Sequence, residues 1–111
     1  MNKKTSKDQE FSHFTELSQE WWLPKGKFKI LHEILPCRIR YILKNMRNKK
    51  VKNLDILDLG CGGGLTCEPL SRLGAKMTGI DFIKENIQIA KDHAIISKLN
   101  IEYINDDLET F

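Results

Sequence analysis

The sequence predicts an α/β fold built around parallel strands, and three observations predict it. Leu54–Leu59 is an apolar run of strand length that ends in a turn rich in glycine. A second apolar run, Lys76–Ile80, follows after an interval long enough for a helix. Over Ile83–Ala94, apolar residues then recur at the spacing of one helix face. Strands that alternate with helices are typical of a parallel sheet with right-handed crossover connections.

The amino-terminal half is predicted to be a helical segment behind a polar tail. Residues 1–9 are polar and rich in lysine, which predicts a disordered tail. From Glu10 to Trp22, apolar residues recur every three or four positions, as in an amphipathic helix. We expect a short helix over Phe28–Leu35 to stop before Pro36. A further helix of about three turns is marked by Ile39, Leu43 and Met46.

The carboxyl-terminal half supplies the strands. Strand one is predicted at Leu54–Leu59, and the helix after the glycine turn should run to about Leu73, with Gly74 just beyond its cap. Lys76–Ile80 and Ile101–Ile104 are the second and third strands. The chain is therefore divided into a disordered tail, an amino-terminal helical segment and the first half of a parallel-sheet domain: 1–9, 10–53 and 54–111.

Charge and cysteine content limit the classes of site. Residues 1–55 carry 13 basic and 6 acidic side chains, whereas residues 56–111 carry 5 and 9. The basic half is compatible with contact to an anionic membrane surface, although a solvated surface rich in lysine is the preferred interpretation. The three cysteines and three histidines lack the spacing of metal ligands, so no metal site is predicted. No signal peptide or transmembrane run is visible, which favours a cytoplasmic location.

The glycine turn and the acids around it carry most of the functional information. Gly60, Gly62 and Gly64 stand at alternate positions after the first strand, and such a turn lets a ligand approach the backbone closely. Asp81 ends the second strand and can accept hydrogen bonds from both hydroxyls of a ribose. Asp58 would repel a phosphate but would suit a cationic group. The pattern predicts a nucleoside-containing ligand across the carboxyl ends of the strands.

The spacing departs from a dinucleotide site, because Leu65 stands where that fingerprint has its third glycine. It resembles motif I of the Rossmann-like methyltransferases that depend on S-adenosylmethionine (SAM). Two stretches, WWLPKGKFKILHEILPCRIRYI at 21–42 and ILDLGCGGGLTCEPLSRLGAKMTGID at 56–81, look like the ubiquinone-biosynthesis O-methyltransferases. The chain departs from that family at Leu23, where an aspartate is usual, and at Leu35, where an asparagine is usual.

The resemblance implies a set of SAM contacts. Gly60 and Gly62 would pass beneath its methionyl and ribose parts, and Asp58 would face its amino group. Asp81 would bind the ribose diol, with a cap on the following helix as a compatible alternative. Arg38 aligns with an arginine that the family uses at this site, where it would pair with the methionine carboxylate. A solvated arginine is an alternative of equal weight.

Further positions are open to two readings. Asp106 follows the third strand, where many such enzymes place an acid or amide near the adenine amino group; Asp107 competes with it, and a solvated acid is the preferred interpretation of either. Trp21 and Trp22 are interpreted first as aromatic residues that bury an amphipathic helix, and second as part of a lid over the cofactor. No residue can be named as the catalytic base, because the family's acceptor pocket lies largely beyond the third strand.

The resemblance implies SAM-dependent methylation of phenolic hydroxyls on polyprenylated quinone precursors, peripheral contact with the inner face of a membrane, and no nucleic-acid partner. We expect a Rossmann-like methyltransferase fold truncated after the third parallel strand, with an amino-terminal helical segment. Catalytic activity of this chain alone is not expected. Two alternatives stay open: a non-catalytic remnant that binds SAM weakly, and one half of a split enzyme completed by a carboxyl-terminal partner fragment. The exposed sheet edge of such a fragment also predicts self-association.

Overall fold

A computed structural model describes residues 19–107 of the chain. The predicted tail 1–9 and the predicted helix from Glu10 as far as residue 18 lie outside the described residues. The end of that predicted helix, residues 19–22, forms turns. The described elements are the helices α1 (Lys29–Lys44), α2 (Cys67–Arg72) and α3 (Lys84–Ile96), a 3₁₀ turn (Arg47–Lys49), and the strands β1 (Asp55–Leu59), β2 (Lys76–Asp81) and β3 (Glu102–Asn105).

The three strands form one parallel sheet in the order β1-β2-β3. Leu57 of β1 lies opposite Thr78 of β2, which in turn lies opposite Glu102 of β3. Each strand begins and ends within one residue of its predicted bounds, so the α/β prediction is confirmed over the described residues. The apolar runs identified these strands because strands of a parallel sheet are covered on both faces in a complete domain.

Helix α1 corrects the prediction of two helices separated at Pro36. It is one helix of 16 residues with Pro36 inside it. Proline removes one hydrogen bond of the helix and crowds the preceding turn, which normally breaks or kinks a helix. Here Pro36 is exposed, so its ring meets solvent rather than a neighbouring element. The inner face of α1 continues across it and packs on the core through Ile39, Ile42 and Leu43.

Helix α2 ends as the sequence predicts. Gly74 adopts a positive φ of 97° just beyond the C-cap residue Leu73. The Gly74 N–H donates to the Ser71 carbonyl, and the Ala75 N–H donates to the Leu70 carbonyl. These two bonds form a Schellman motif, which turns the chain directly from α2 into β2.

Helix α3 presents its predicted apolar face to the sheet. Ile83, Ile87, Ala90 and Ala94 are each at most 4% exposed. The N-cap residue is Ile83 rather than Asp81, so the alternative in which Asp81 is the N-cap is wrong. Two residues separate the end of β2 from the first residue of α3, and the Asp81 Oδ1 accepts the Ile83 N–H. None of the described helices is long and apolar enough to cross a membrane.

Candidate functional site

Three acidic residues lie along the carboxyl edge of the sheet. Asp58 is the fourth residue of β1, Asp81 ends β2, and Asp106 follows β3. Asp81 is opposite Asn105 in the sheet register, and the Asp106 N–H donates to the Asp81 carbonyl at 3.1 Å. In open parallel sheets, ligands bind outside the carboxyl ends of the strands. The fold therefore brings the predicted acids to the edge where a ligand is expected.

The glycine turn is fastened to β2 by its own backbone. The N–H groups of Gly60 and Cys61 both donate to the Ile80 carbonyl, at 2.8 and 2.9 Å. Gly60, Gly62 and Gly64 have positive φ values of 74°, 56° and 91°. A residue with a Cβ is strained in this region of backbone conformation, which explains why glycine occupies all three positions.

Asp81 locks the turn in place. Its Oδ2 accepts the Gly62 N–H at 2.9 Å, and its Oδ1 accepts the Ile83 N–H at 2.9 Å. The Asn86 side chain donates to Oδ1 at 3.4 Å. The carboxylate is 7% exposed and retains accepting capacity on Oδ2. Asp81 thus joins the glycine turn to the start of α3, and its predicted bonds to a ribose stay a prediction.

A cavity of about 160 Å³ opens beside the turn. Three predicted site residues, Arg38, Asp58 and Gly60, share it, although they come from α1, β1 and the glycine turn. A Cβ built on Gly60 meets nothing within 4 Å, so the cavity reaches the backbone there. The other lining residues are Trp21, Leu31, Leu35, Cys61, Leu65 and Thr66.

The two positions that depart from the family pattern, Leu35 and Leu23, have different surroundings. Leu35, where an asparagine is usual, lines the cavity beside Arg38. Leu23, where an aspartate is usual, is 52% exposed. The departure at Leu35 therefore changes the polarity of the candidate site itself, whereas the one at Leu23 falls on the surface.

The surroundings of Asp58 shift its pKa in opposite directions. Burial raises its pKa above the usual value, and the charge of Asp81 acts in the same direction more weakly. The Cys67 thiol, with its sulfur 3.5 Å from Oδ2, and the positive charge of Arg38 lower that pKa. A cation bound in the cavity would lower the pKa of Asp58 further.

Beneath the turn, Cys61, Cys67 and Tyr103 form a packed cluster with Gly64 and Gly79. A Cβ on Gly79 would lie 2.8 Å from the Tyr103 ring and 2.9 Å from the Cys61 sulfur. The neighbouring Cys61 thiol and burial raise the pKa of Cys67, and burial raises the pKa of Tyr103. Cys61 is 7% exposed and packs in this cluster.

Trp21 and Trp22 cross the glycine turn, and we call these two residues the tryptophan strap. A Cβ on Gly62 would lie 2.5 Å from the Trp21 ring, and the Trp21 Nε1–H donates to the Asn86 side chain at 2.9 Å. The Trp22 Nε1–H donates to the Gly63 carbonyl at 2.8 Å. The rings also contact the beginning of α1, where Trp21 stacks on Phe28 and Trp22 meets His32 edge-on. The lid and the burial interpretations both stay predictions.

Sequence reasoning missed Asn86, Glu68 and His93. Asn86 joins Trp21 to Asp81, while the buried Glu68 contacts His93 across two helices. One signal was available, because Asn86, Ala90 and His93 follow the spacing of a single helix face. Asp106 lies beside Asp81, and the Asp107 N–H donates to the Asp106 side chain, but neither residue lines the cavity.

Comparison with known proteins extends these observations. Residues 56–111 match the family model described as a methyltransferase domain. The chain is 49% identical over 102 residues to the ubiquinone biosynthesis O-methyltransferase of Pelagibacter ubique strain HTCC1062, covering 85% of this chain and 42% of the relative. It is 44% identical over 110 residues to the protein of the same name from Bartonella quintana strain Toulouse, covering 90% of this chain and 44% of that relative. The chain thus spans less than half the length of these curated relatives.

Solved structures share the fold. The PH0226 protein of Pyrococcus horikoshii OT3 superposes with a TM-score of 0.65 at 23% identity, over 86% of this chain and 42% of that one. The magnesium protoporphyrin IX methyltransferase of Synechocystis PCC 6803, solved with bound SAM, superposes with a TM-score of 0.63 at 14% identity. The superposition covers 100% of this chain and 46% of that one. At these identities the likeness concerns the fold alone, and it agrees with the Rossmann-like α/β architecture.

Proposed function

The chain belongs to the methyltransferase-domain family, and we propose that it is the amino-terminal, SAM-binding portion of a ubiquinone-biosynthesis O-methyltransferase. The observation that carries this proposal is the cavity shared by Arg38, Asp58 and Gly60 at the carboxyl edge of the sheet. The curated relatives that bear this name align with 85–90% of the chain.

The chemistry of the cavity fits SAM. The methionyl part of SAM carries an ammonium and a carboxylate, and the cavity offers a carboxylate on Asp58 and a guanidinium on Arg38. The open space above Gly60 lets a ligand approach the backbone. A nucleotide phosphate would meet the Asp58 charge unfavourably, so the donor set favours SAM over a dinucleotide.

Each residue then has a defined role. Arg38 binds the methionine carboxylate by charge-assisted hydrogen bonds, and Asp58 binds the ammonium. Gly60 and Gly62 pass beneath the cofactor. Asp81 binds the ribose diol through its remaining accepting capacity on Oδ2, and Asp106 lies towards the adenine.

SAM, when bound, supplies a methyl group on a sulfonium that is already an activated leaving group. The chain's own contribution is to hold and orient the cofactor and to exclude water from it. The base that removes the phenolic proton is not assigned to a residue of this chain, and no metal ligand set is proposed.

The proposed substrate is a phenol or catechol that carries a polyprenyl chain. Because the polyprenyl chain of the substrate resides in a membrane, the protein would work in the cytoplasm at the inner membrane face. The excess of basic residues in 1–55 supports such a peripheral contact. A carboxyl-terminal partner fragment and self-association are further proposed contacts, and no nucleic-acid partner is proposed.

Calorimetric titration of the 111-residue polypeptide with SAM tests the cofactor assignment. Arg38→Gln should weaken SAM binding by about tenfold or more, because a charge-assisted hydrogen bond contributes about 1.5–3 kcal/mol. The matched control is Arg40→Gln, which removes an exposed arginine two residues further along α1 and outside the cavity.

Equal effects of the two substitutions would contradict the role of Arg38. Failure of the parent polypeptide to bind SAM, while circular dichroism indicates a folded chain, would contradict the cofactor assignment for this chain.

A further inference from the structure

The starting observation is a buried carboxylate behind the glycine turn. The Glu68 side chain, on α2, is 0% exposed. Arg72 contacts its Oε1 at 3.1 Å, and the His93 Nδ1 contacts its Oε2 at 2.6 Å. A carboxylate accepts only, so Nδ1 of His93 carries the hydrogen. A charge that is removed from water needs such partners, because isolation in the interior is very unfavourable.

His93 leads from this carboxylate to the tryptophan strap. Its ring stacks on Trp22 with centroids 3.6 Å apart and planes 1° from parallel. Trp22 in turn donates to the Gly63 carbonyl. A series of contacts therefore links Glu68 on α2, through His93 on α3, to Trp22 and the glycine turn.

The strap has a second attachment on the same helix. Trp21 donates to Asn86, which lies seven positions before His93, or about two helical turns. Trp21 also stacks on Phe28, with centroids 3.9 Å apart. Two adjacent tryptophans thus bridge two points of α3 and lie against the turn between them. Since Trp21 lines the cavity with Asp58 and Arg38, its position decides the shape of that cavity.

We propose that Glu68 and His93 are positioning residues that hold the tryptophan strap against the glycine turn and thereby fix one wall of the cofactor cavity. The effect on the cofactor rests on the proposed function, whereas the attachment of the strap does not. Neither residue touches the cavity. They act through Trp22, whose ring is fixed on one side by His93 and at its nitrogen by Gly63.

The test exploits the composition of the chain, whose only two tryptophans are those of the strap. Tryptophan fluorescence quenched by acrylamide therefore measures access to the strap alone. The principal variant is His93→Gln, whose amide can still donate to Glu68 but has no ring to stack on Trp22. Glu68→Gln is the second variant, since it removes the charge and keeps the shape.

Two substitutions are matched controls. Arg72→Ala removes the other partner of Glu68, at an exposed position away from the strap. Asp92→Ala removes an exposed side chain on α3 next to His93, and the Asp92 carboxylate accepts a hydrogen bond from Gln88. A purely structural role of Glu68 predicts that Arg72→Ala acts like the principal variants.

His93→Gln and Glu68→Gln should increase acrylamide quenching while circular dichroism stays that of a folded chain. Arg72→Ala should lower the urea midpoint without increasing quenching, and Asp92→Ala should change neither. Unchanged quenching in both principal variants, or an equal increase in Arg72→Ala, would overturn the proposal.

SAM titration distinguishes the attachment of the strap from its effect on the cofactor cavity. His93→Gln should weaken SAM binding by about tenfold, equivalent to about 1.4 kcal/mol. Increased quenching with undiminished SAM affinity would overturn the effect on the cavity and leave the attachment of the strap supported. Increased quenching in a chain whose parent binds no SAM would support the attachment and contradict the proposed function.

Discussion

The carboxyl group of Asp58 lies near the end of β1, half-buried between the Cys67 thiol and the Arg38 side chain. Its ionised form is what a cationic ligand group requires. The same ionised form is disfavoured by burial, which raises the pKa of Asp58 in the folded chain. Folding and ligand binding therefore make opposite demands on this residue, as is common at functional sites.

Asp58→Asn should stabilise the chain at neutral pH and weaken SAM binding. Because the folded pKa is raised, ionisation costs stability once the pH exceeds the unfolded pKa of about 3.9. That cost grows until the pH passes the folded pKa and is constant above it. The variant should therefore gain little in urea midpoint below about pH 4 and more at pH 7, and bind SAM about tenfold more weakly.

The control for this prediction is Asp55→Asn, an exposed acid at the other end of the same strand. It should leave SAM affinity unchanged. A lower stability of Asp58→Asn at pH 7 would indicate that the Cys67 and Arg38 contacts outweigh burial.

At the scale of elements, local rules predicted most of the fold. The strands were found because apolar runs end at glycines and acids, and the end of α2 was found because Gly74 satisfies the cap. The same rules failed at Pro36, where a helix crosses an exposed proline. They also allowed Asp81 as an alternative N-cap of α3, although Ile83 holds that position.

The glycine turn and its acids were likewise predictable, but the residues that hold them in place were not. The Trp21–Asn86 bond joins residues 65 positions apart, and the Trp22–Gly63 bond joins residues 41 apart. Contacts of this range depend on how the turns that precede α1 lie against α3 and the glycine turn, which local periodicity does not record. Spacing could place His93 on the face of Asn86, but it could not identify Glu68 as its partner.

The fit between strap and turn predicts the behaviour of Gly63→Ala. The backbone at Gly63 lies outside the left-handed region, so alanine is conformationally acceptable. Its Cβ would, however, overlap the Cβ and Cγ atoms of Trp21. The substitution should therefore lower stability by about 1–3 kcal/mol through overpacking, measured by urea unfolding, and should expose the strap to acrylamide.

A double-mutant cycle checks the cause. In a Trp21→Gly background, Gly63→Ala should cost much less, because both the Cβ and the ring that it would overlap have been removed. Equal costs in both backgrounds would attribute the effect to the backbone of the turn instead of the strap.

For the whole molecule, the decisive feature is the free side of β1. Among the described residues β1 pairs with β2 alone, and its Leu57 and Leu59 side chains are 45% and 56% exposed. An exposed apolar strand edge is a template for pairing with another chain. The curated relatives are more than twice as long as the matched region. A lack of methyl transfer by the 111-residue polypeptide alone stays a prediction.

The isolated polypeptide should accordingly self-associate through β1. Sedimentation velocity should detect species larger than a monomer, and the β1 N–H groups that face away from β2 should exchange slowly only when the chains associate. Replacing Leu57 and Leu59 by lysine should reduce association, since charged side chains protect strand edges. Ile95→Lys is the matched control, because Ile95 is 75% exposed but lies near the end of α3, away from the sheet edge. A monomeric parent in which the β1 N–H groups that face away from β2 are strongly protected would contradict this prediction, since the edge would then be covered within one chain.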